Sequence, residues 1–463
     1  MTADSATVPD SKAPAVYMDK KVLPELSRTW LKRLGVFLLF YLLAAGLNVP
    51  YMMTHTALSP LDEYSYVDAV DKAQHGIVSL DGQMMGDYAK QASACRGYGT
   101  EKNQSAPYIP EPGVPEAICG ATDNPPEAFP WNAHTTAGVH SPVYYFVTGW
   151  LAKPLQQIFG FDLVVAARLT GTLWLGAGMF AAAYLLRIVG TGKGMAFLLP
   201  ATGAALPTYR LTTAYITPDA FNLLAGSTVL IATWQYVTGR WKVWPLVALS
   251  FFWPIVKMQN AFVVGLALLF LLVVWLRESW QLRQQAVTLE WWKLLRIIGI
   301  GIVTVVGALG WSIIHKGIIG ATANFSTDPP AHITARGIAD SIGVGLYSMY
   351  TGFAGESSPF VLLFTILALG ALVAIVVFGF KVGKNENSFA LVTSVVLLLI
   401  GPAVLVAFAV VYGSHVIIQP RYLQIFVPAQ LMCLAWCMKQ RGSTLAMSVF
   451  AVGAYAWAFA VAL

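Results

Sequence analysis

The feature that most constrains this chain is a series of apolar runs about as long as a bilayer is thick. The first is "LGVFLLFYLLAAGLNVPYMM", and further runs fall near 163–186, 194–212, 220–238, 243–257, 260–276, 297–315, 358–380, 388–412, 420–438 and 443–462. About 20 apolar residues in a helix cross the hydrocarbon core. Inside lipid every backbone N–H and C=O must find a partner within the protein, which leaves helices or closed barrels. Barrel strands would read as short alternating segments, and these runs are long and continuously apolar. The expected fold is therefore an all-α polytopic membrane protein with about eleven transmembrane helices, counting 34–53 as the first. Charged residues make up 11% of the 463, against about a quarter in soluble domains.

Orientation follows from the basic residues, which favour the cytoplasmic side. Lys20, Lys21, Arg28, Lys32 and Arg33 precede the first run; Arg187 with Lys193, Arg240 with Lys242, the group from Arg277 to Arg296, Lys381 with Lys384 and Lys439 with Arg441 follow. Eleven crossings place every cluster inside, provided that "SPVYYFVTGWLAKPLQQIFG" (141–160) does not cross. Its Lys153 and Pro154 suit a juxtamembrane helix on the outer face. The net charge of +6 is thus accounted for by topology, with no nucleic acid. The polar first 27 or so residues and the long first run read as a tail and a retained anchor, not a cleaved signal. Three units result: a cytoplasmic tail 1–33, a transmembrane module 34–315 with a large outer loop 54–162, and 316–463 with a second outer loop and the last helices. That second loop, about 316–357, is read as holding a short helix near 331–350. Cys95 and Cys119 share the first outer loop and are a candidate disulfide in an oxidising compartment. Cys433 and Cys437 lie one helical turn apart in an apolar run and read as packing residues.

Polar groups gather at the outer ends of the runs. Asp62 and Glu63 follow the first, His140 and Ser141 open the juxtamembrane helix, Asp219 sits in "AYITPDAFN", Lys257 in "FFWPIVKMQN" and Arg421 in "IIQPRYLQIF". Each has an ordinary reading: a solvated loop start for the acidic pair, helix capping for Asp219, snorkelling for Lys257, lipid anchoring for Arg421, a surface loop for His140. Together, acids and cations at one depth beside apolar runs are the makings of a site for a phosphorylated lipid. Sugar transfer from a polyprenyl phosphate needs a base for the acceptor hydroxyl and positive groups for the departing phosphate. Asp62 is the candidate base, with Glu63 and Asp219 as further catalytic acids. Lys257, Arg421 and His140 are candidate phosphate partners. Tyr64, Tyr144 and Tyr422 are candidate substrate contacts. No cofactor is implied, although a carboxylate here could also hold a divalent metal.

This layout resembles the GT-C superfamily of membrane glycosyltransferases. There an acidic motif follows the first span, as in "LDEYSYVDAV", within a large outer loop containing juxtamembrane helices. A His-Pro-Pro-like stretch is matched by "HSPVYYFVTGW", with Ser141 for the first Pro. An Arg early in the next span corresponds to Arg168 in "VVAARLTGTLW", and a second acid corresponds to Asp219. The chain is more similar still to the DUF2142 group of bacterial membrane proteins, through "SPLDEYSY", the aromatic-Gly segment "YSMYTGFAGESSP" and "QPRYLQIFVPA", where Pro420 replaces a Gly. No His follows the acidic pair; Tyr66 and Val67 stand there. The resemblance runs from about 40 to 430. It implies a glycosyltransferase in the bacterial plasma membrane, acting outside the cytoplasm on a polyprenyl-phosphate sugar and a cell-envelope glycan or glycolipid. Richness in Ala, Gly and Val points to a GC-rich genome, for which decaprenyl-phosphate arabinofuranose or mannose would be natural donors. It leaves Arg168 a substrate contact.

Other classes compete. A transporter or flippase of lipid-linked sugars would also bind phosphate, yet would want a polar path across the bilayer and often internal repeats; neither is visible. An O-antigen-type polymerase more often places its large loop late in the chain. A non-catalytic scaffold stays open, because fold does not dictate function.

Overall fold

The computed structural model describes residues 22–59, 62–98, 116–284, 290–319, 333–344, 346, 359–379, 385–412, 418–438 and 441–462. Within them the chain is helical, with isolated bridges at Leu58–Tyr98 and Met84–His134 and no named strand. The helices are α1 (Val22–Thr54), α2 (Glu63–Gln74), α3 (Asp87–Arg96), α4 (Val143–Phe159), α5 (Leu163–Ile188), α6 (Lys193–Ala204), α7 (Pro207–Thr213), α8 (Asn222–Val237) and α9 (Trp244–Val256). There follow α10 (Ala261–Gln284), α11 (Trp291–Ile319), α12 (Ala335–Gly343), α13 (Pro359–Gly379), α14 (Asn385–Tyr412), α15 (Pro420–Leu423), α16 (Val427–Cys437) and α17 (Arg441–Ala462). The tail 1–21, most of 316–357 and the aromatic-Gly segment lie outside the described residues; α12 falls within the stretch expected to hold a short helix.

Among the described residues six helices are long and apolar enough to cross a membrane: 30–54, 163–188, 258–282, 291–315, 385–410 and 442–460. The run 358–380 forms the unbroken 21-residue α13, and the remaining expected runs are shorter or broken. The run 194–212 divides into α6 and α7 at Ala205–Leu206, because Pro207 opens a new helix at N1 where its missing N–H costs nothing. The run 420–438 divides into α15, a 3-10 turn at Gln424–Phe426, and α16. Apolar length cannot report these breaks, since a kinked run is as hydrophobic as a straight one.

Helix α5 is the hub, packing against α1, α4, α6 and α8. Its start is set by Asp162, whose carboxylate accepts the Val165 N–H at 2.9 Å and satisfies an orphan donor of the first turn. Two glycines bring backbones together beside the site. A Cβ on Gly171 of α5 would lie 2.1 Å from the Thr213 carbonyl oxygen, and one on Gly226 of α8 would lie 2.3 Å from that of Ile425. Hydrocarbon gives helices no hydrophobic drive to associate, so such small-residue contacts carry the packing. They seat the segments 213–219 and 420–426 next to each other.

The segment between α1 and α5 folds as a cap on α2 and α4. Asp68 is buried and accepts from Lys72 Nζ at 2.7 Å and Gly86 N at 2.7 Å, tying α2 to the loop ahead of α3. Gln74 Nε2 donates to Gly149 O at 3.0 Å and Gln156 Oε1 at 2.7 Å, tying α2 to α4. Cys95 and Cys119 are disulfide-bonded, with Cα atoms 4.4 Å apart. Helix α4 leaves Trp150, Ile158 and Phe159 well exposed. Cys433 is buried in α16 and Cys437 is exposed.

Candidate functional site

Asp62 is the N-cap residue of α2, yet its side chain caps nothing. Its backbone is left-handed, with φ 64° and ψ 13°, a region Asp tolerates better than most residues. The carboxylate is thereby freed from the helix end, and its Oδ2 lies 3.2 Å from Arg421 Nη2 with the side chain 35% exposed.

Glu63, the next residue, is fully buried and wholly engaged. Its Oε1 accepts from Arg168 Nε at 2.8 Å and Ile216 N at 2.9 Å; its Oε2 accepts from Arg168 Nη2 at 2.7 Å and Ser59 N at 2.7 Å. Arg168 also donates to His55 O at 2.9 Å and Ala57 O at 2.6 Å, and its guanidinium lies over the Tyr215 ring at 4.7 Å. This pair locks the turn after α1 onto α5 and the 213–217 segment. The placement corrects two expectations: four N–H donors leave Glu63 no room to act as an acid or base, and Arg168 is committed to protein partners rather than to substrate.

Asp219 is drawn into the same place by a 3-10 turn that Pro218 opens. Its Oδ1 accepts from Asn222 Nδ2 at 3.1 Å and pairs with Lys257 Nζ; its Oδ2 accepts from Thr217 Oγ1 at 3.1 Å and lies 3.8 Å from Arg421 Nε. Lys257 follows the last turn of α9, where Pro254 sits, and its ammonium lies 4.6 Å from the Tyr422 ring centre. The Asp219 and Lys257 side chains are each 1% exposed. Asn222 Nδ2 also donates to the Arg421 carbonyl at 2.8 Å, fixing α15 to α8.

Arg421 is the centre of the cluster. It reaches both Asp62 and Asp219, its Nη2 donates to Tyr422 Oη at 3.4 Å, and its side chain is 4% exposed. Its Nε and Nη1 are buried without a hydrogen-bond partner among the described residues. A buried donor left unmade costs about 1–3 kcal/mol, so the site has unspent capacity for an acceptor, an anion above all.

His140 stands beside the cluster, its ring 6.1 Å from Tyr66. Burial, reinforced by the Lys257 and Arg421 charges, pushes its pKa down to about 3. It is therefore neutral near pH 7. Ser141 Oγ, next to it, is buried with no partner among the described residues.

Six of the expected residues converge: Asp62, Asp219, Lys257, Arg421, His140 and Tyr422. Tyr64 packs edge-on to Tyr98 at 6.0 Å, within the cap. Tyr144 is buried and accepts the Thr217 N–H at 3.0 Å, so it supports the Asp219 turn. Sequence reasoning missed Asn222, Thr217 and Tyr66. Asn222 stands three residues after Asp219, one turn on, and that spacing was the available signal. Tyr66 had none. Among the described residues no three His, Cys, Asp or Glu side chains group as metal ligands. No family model matches the chain, and no curated protein matches it.

Proposed function

We propose that this protein is a membrane glycosyltransferase that takes a sugar from a polyprenyl phosphate and adds it to a hydroxyl of a cell-envelope glycan or glycolipid. The observation that carries the reading is Arg421: a buried guanidinium whose Nη1 and Nε make no hydrogen bond among the described residues, Nε facing Asp219 at 3.8 Å, next to Lys257 and an accessible carboxylate. In the proposed reaction the acceptor hydroxyl attacks the anomeric carbon and its proton passes to Asp62. The bond from that carbon to the phosphate oxygen breaks, and the lipid phosphate leaves with the electron pair. Arg421 Nε and Nη1 are poised to meet the growing charge on that oxygen, where a preorganised donor typically contributes about 2.7–4 kcal/mol. Asp219 holds Lys257 and Arg421 in place, and neutral His140 and Tyr422 complete the wall.

The proposed membrane frame has eleven crossings, with α4 lying along the outer face on its exposed Trp150, Ile158 and Phe159, and the site outside the cytoplasm of a bacterial plasma membrane. Arabinofuranose and mannose are the first sugars to test. The test is transfer of radiolabel from a panel of polyprenyl-phosphate sugars to envelope-glycan acceptors by purified protein, beside Asp62→Asn. Transfer by wild type only supports the enzyme. Binding of lipid-linked sugar without transfer, with movement of that lipid between leaflets of a vesicle, would replace it with a flippase.

A further inference from the structure

The opposite end of the bundle holds a second basic site, distant from the first. The inner half of α1, the end of α5 and the start of α6 enclose a cavity of about 560 Å3. Its walls are apolar and aromatic, including Val36, Phe40, Phe180 and Phe197, and four cations line it: Lys32, Arg33, Arg187 and Lys193. No Asp or Glu lines the cavity. Among the described residues none of the four cations pairs with a carboxylate. Arg187 Nη1 donates to the Thr191 carbonyl, which holds it at the end of α5.

Position along α5 sets the depth. Arg168 marks the first site and Arg187 this one; at 1.5 Å per residue they are about 28 Å apart along the helix. That is close to the thickness of a hydrocarbon core, about 30 Å. The cavity therefore sits at the level of the headgroups of the leaflet facing away from the first site. A second apolar cavity of about 600 Å3, between α1, α6 and α17, shares Phe197 with it and is lined by Leu42, Gly46 and Tyr455. The Phe40 and Phe197 rings stack at 4.8 Å where the two meet.

We propose that this is a binding site for an anionic phospholipid bearing two phosphates, of the diphosphatidylglycerol (cardiolipin) class. Four cations on three helices, with no carboxylate partner among the described residues, match two phosphodiesters better than one. The apolar grooves lead from that rim into the membrane, which suits acyl chains and not a free anion. A basic pocket between helices on the cytoplasmic side is where such headgroups are held. In the orientation proposed above, this face is cytoplasmic. The inference does not depend on the transferase reading.

The test uses the full chain purified in mild detergent, with lipid binding read by native mass spectrometry. The probes are cardiolipin, phosphatidylglycerol and phosphatidylethanolamine. Cardiolipin should bind at least ~10-fold more tightly than phosphatidylethanolamine. Lys32→Gln with Lys193→Gln removes two exposed cations from two helices and should weaken cardiolipin roughly 30-fold, on the order of fivefold per cation near a membrane surface. Equal binding by variant and wild type would overturn the proposal, as would equal binding of cardiolipin and phosphatidylethanolamine. Inorganic pyrophosphate displacing cardiolipin at equal concentration would reassign the site to a soluble anion, also against the proposal. Should the double variant not purify as a folded protein, salt decides on the wild type. Raising it from ~0.05 to ~0.5 M should weaken cardiolipin binding strongly, and no change would refute the electrostatic basis.

Discussion

Changing Glu63 to Gln should destabilise the fold that changing Asp62 to Asn leaves nearly unaffected, although the two residues are adjacent. Around Glu63 every partner is a donor: Arg168 Nε and Nη2, Ser59 N and Ile216 N. A Gln keeps one oxygen for two of them and turns an –NH2 toward the other two. It also leaves the Arg168 guanidinium, 2% exposed, without its counter-charge. Removing one partner of a buried ion pair costs about 3–5 kcal/mol. Tm moves by roughly 2–4 °C per kcal/mol at 150–250 residues; taking half that for a chain of 463, the expected drop is roughly 3–10 °C. Asp62 is 35% exposed and pairs with Arg421 through one contact at 3.2 Å, a pairing worth about 0–1 kcal/mol. Asp62→Asn should therefore melt within about 2 °C of wild type while losing 100-fold or more in transfer, the usual scale for a general base. Thermal unfolding in detergent and the radiolabel assay measure both. A Glu63→Gln protein that melts with wild type, or an Asp62→Asn protein that keeps full transfer, would refute the division of roles between them.

Other expectations concern the rest of the cluster. Arg421→Lys keeps a charge but loses the planar fork; KM for the lipid donor should rise roughly 10- to 100-fold with KM for the acceptor little changed, and the reverse split would remove Arg421 from the phosphate. His140 titrates near 6.5 when unfolded but stays neutral in the fold down to about 3, so between these values the unfolded chain binds the extra proton. Stability should fall as pH drops below about 6.5, by about 2 kcal/mol at pH 5, and His140→Gln should flatten that part of the Tm–pH curve; parallel curves would count against a half-buried neutral imidazole. Gly226→Ala places a methyl 2.3 Å from the Ile425 carbonyl oxygen, which should cost about 1–3 kcal/mol and reduce transfer by shifting α15. Unchanged melting and unchanged transfer would show that this contact does not position Arg421.

Much of the molecule was legible before any coordinates. The apolar runs announced helices that must close their own hydrogen bonds. Charge-poor spans with cations, acids and a histidine at their ends pointed to one edge, and Asp62, Asp219, Lys257, Arg421, His140 and Tyr422 do meet there. Local pattern stopped at the breaks. Pro207 and the turn at Gln424–Phe426 interrupt runs whose hydropathy is unbroken, so the runs 194–212 and 420–438 resolve into shorter pieces.

By itself, then, the sequence determined that this chain is a helical membrane protein with its polar chemistry at helix ends, because apolar length and the cost of charge in lipid are local properties. Tertiary structure alone decided which acid is free. Asp62 and Glu63 are neighbours of the same type, and nothing nearby distinguishes them. The difference comes from Arg168, 105 positions along, which takes Glu63 into a buried pair, and from Arg421, 359 positions along, which faces Asp62 with donors to spare. Those distances in sequence are closed by the packing of α5 against α8 and by Asn222 of α8 donating to the Arg421 carbonyl, and no run of residues carries that geometry.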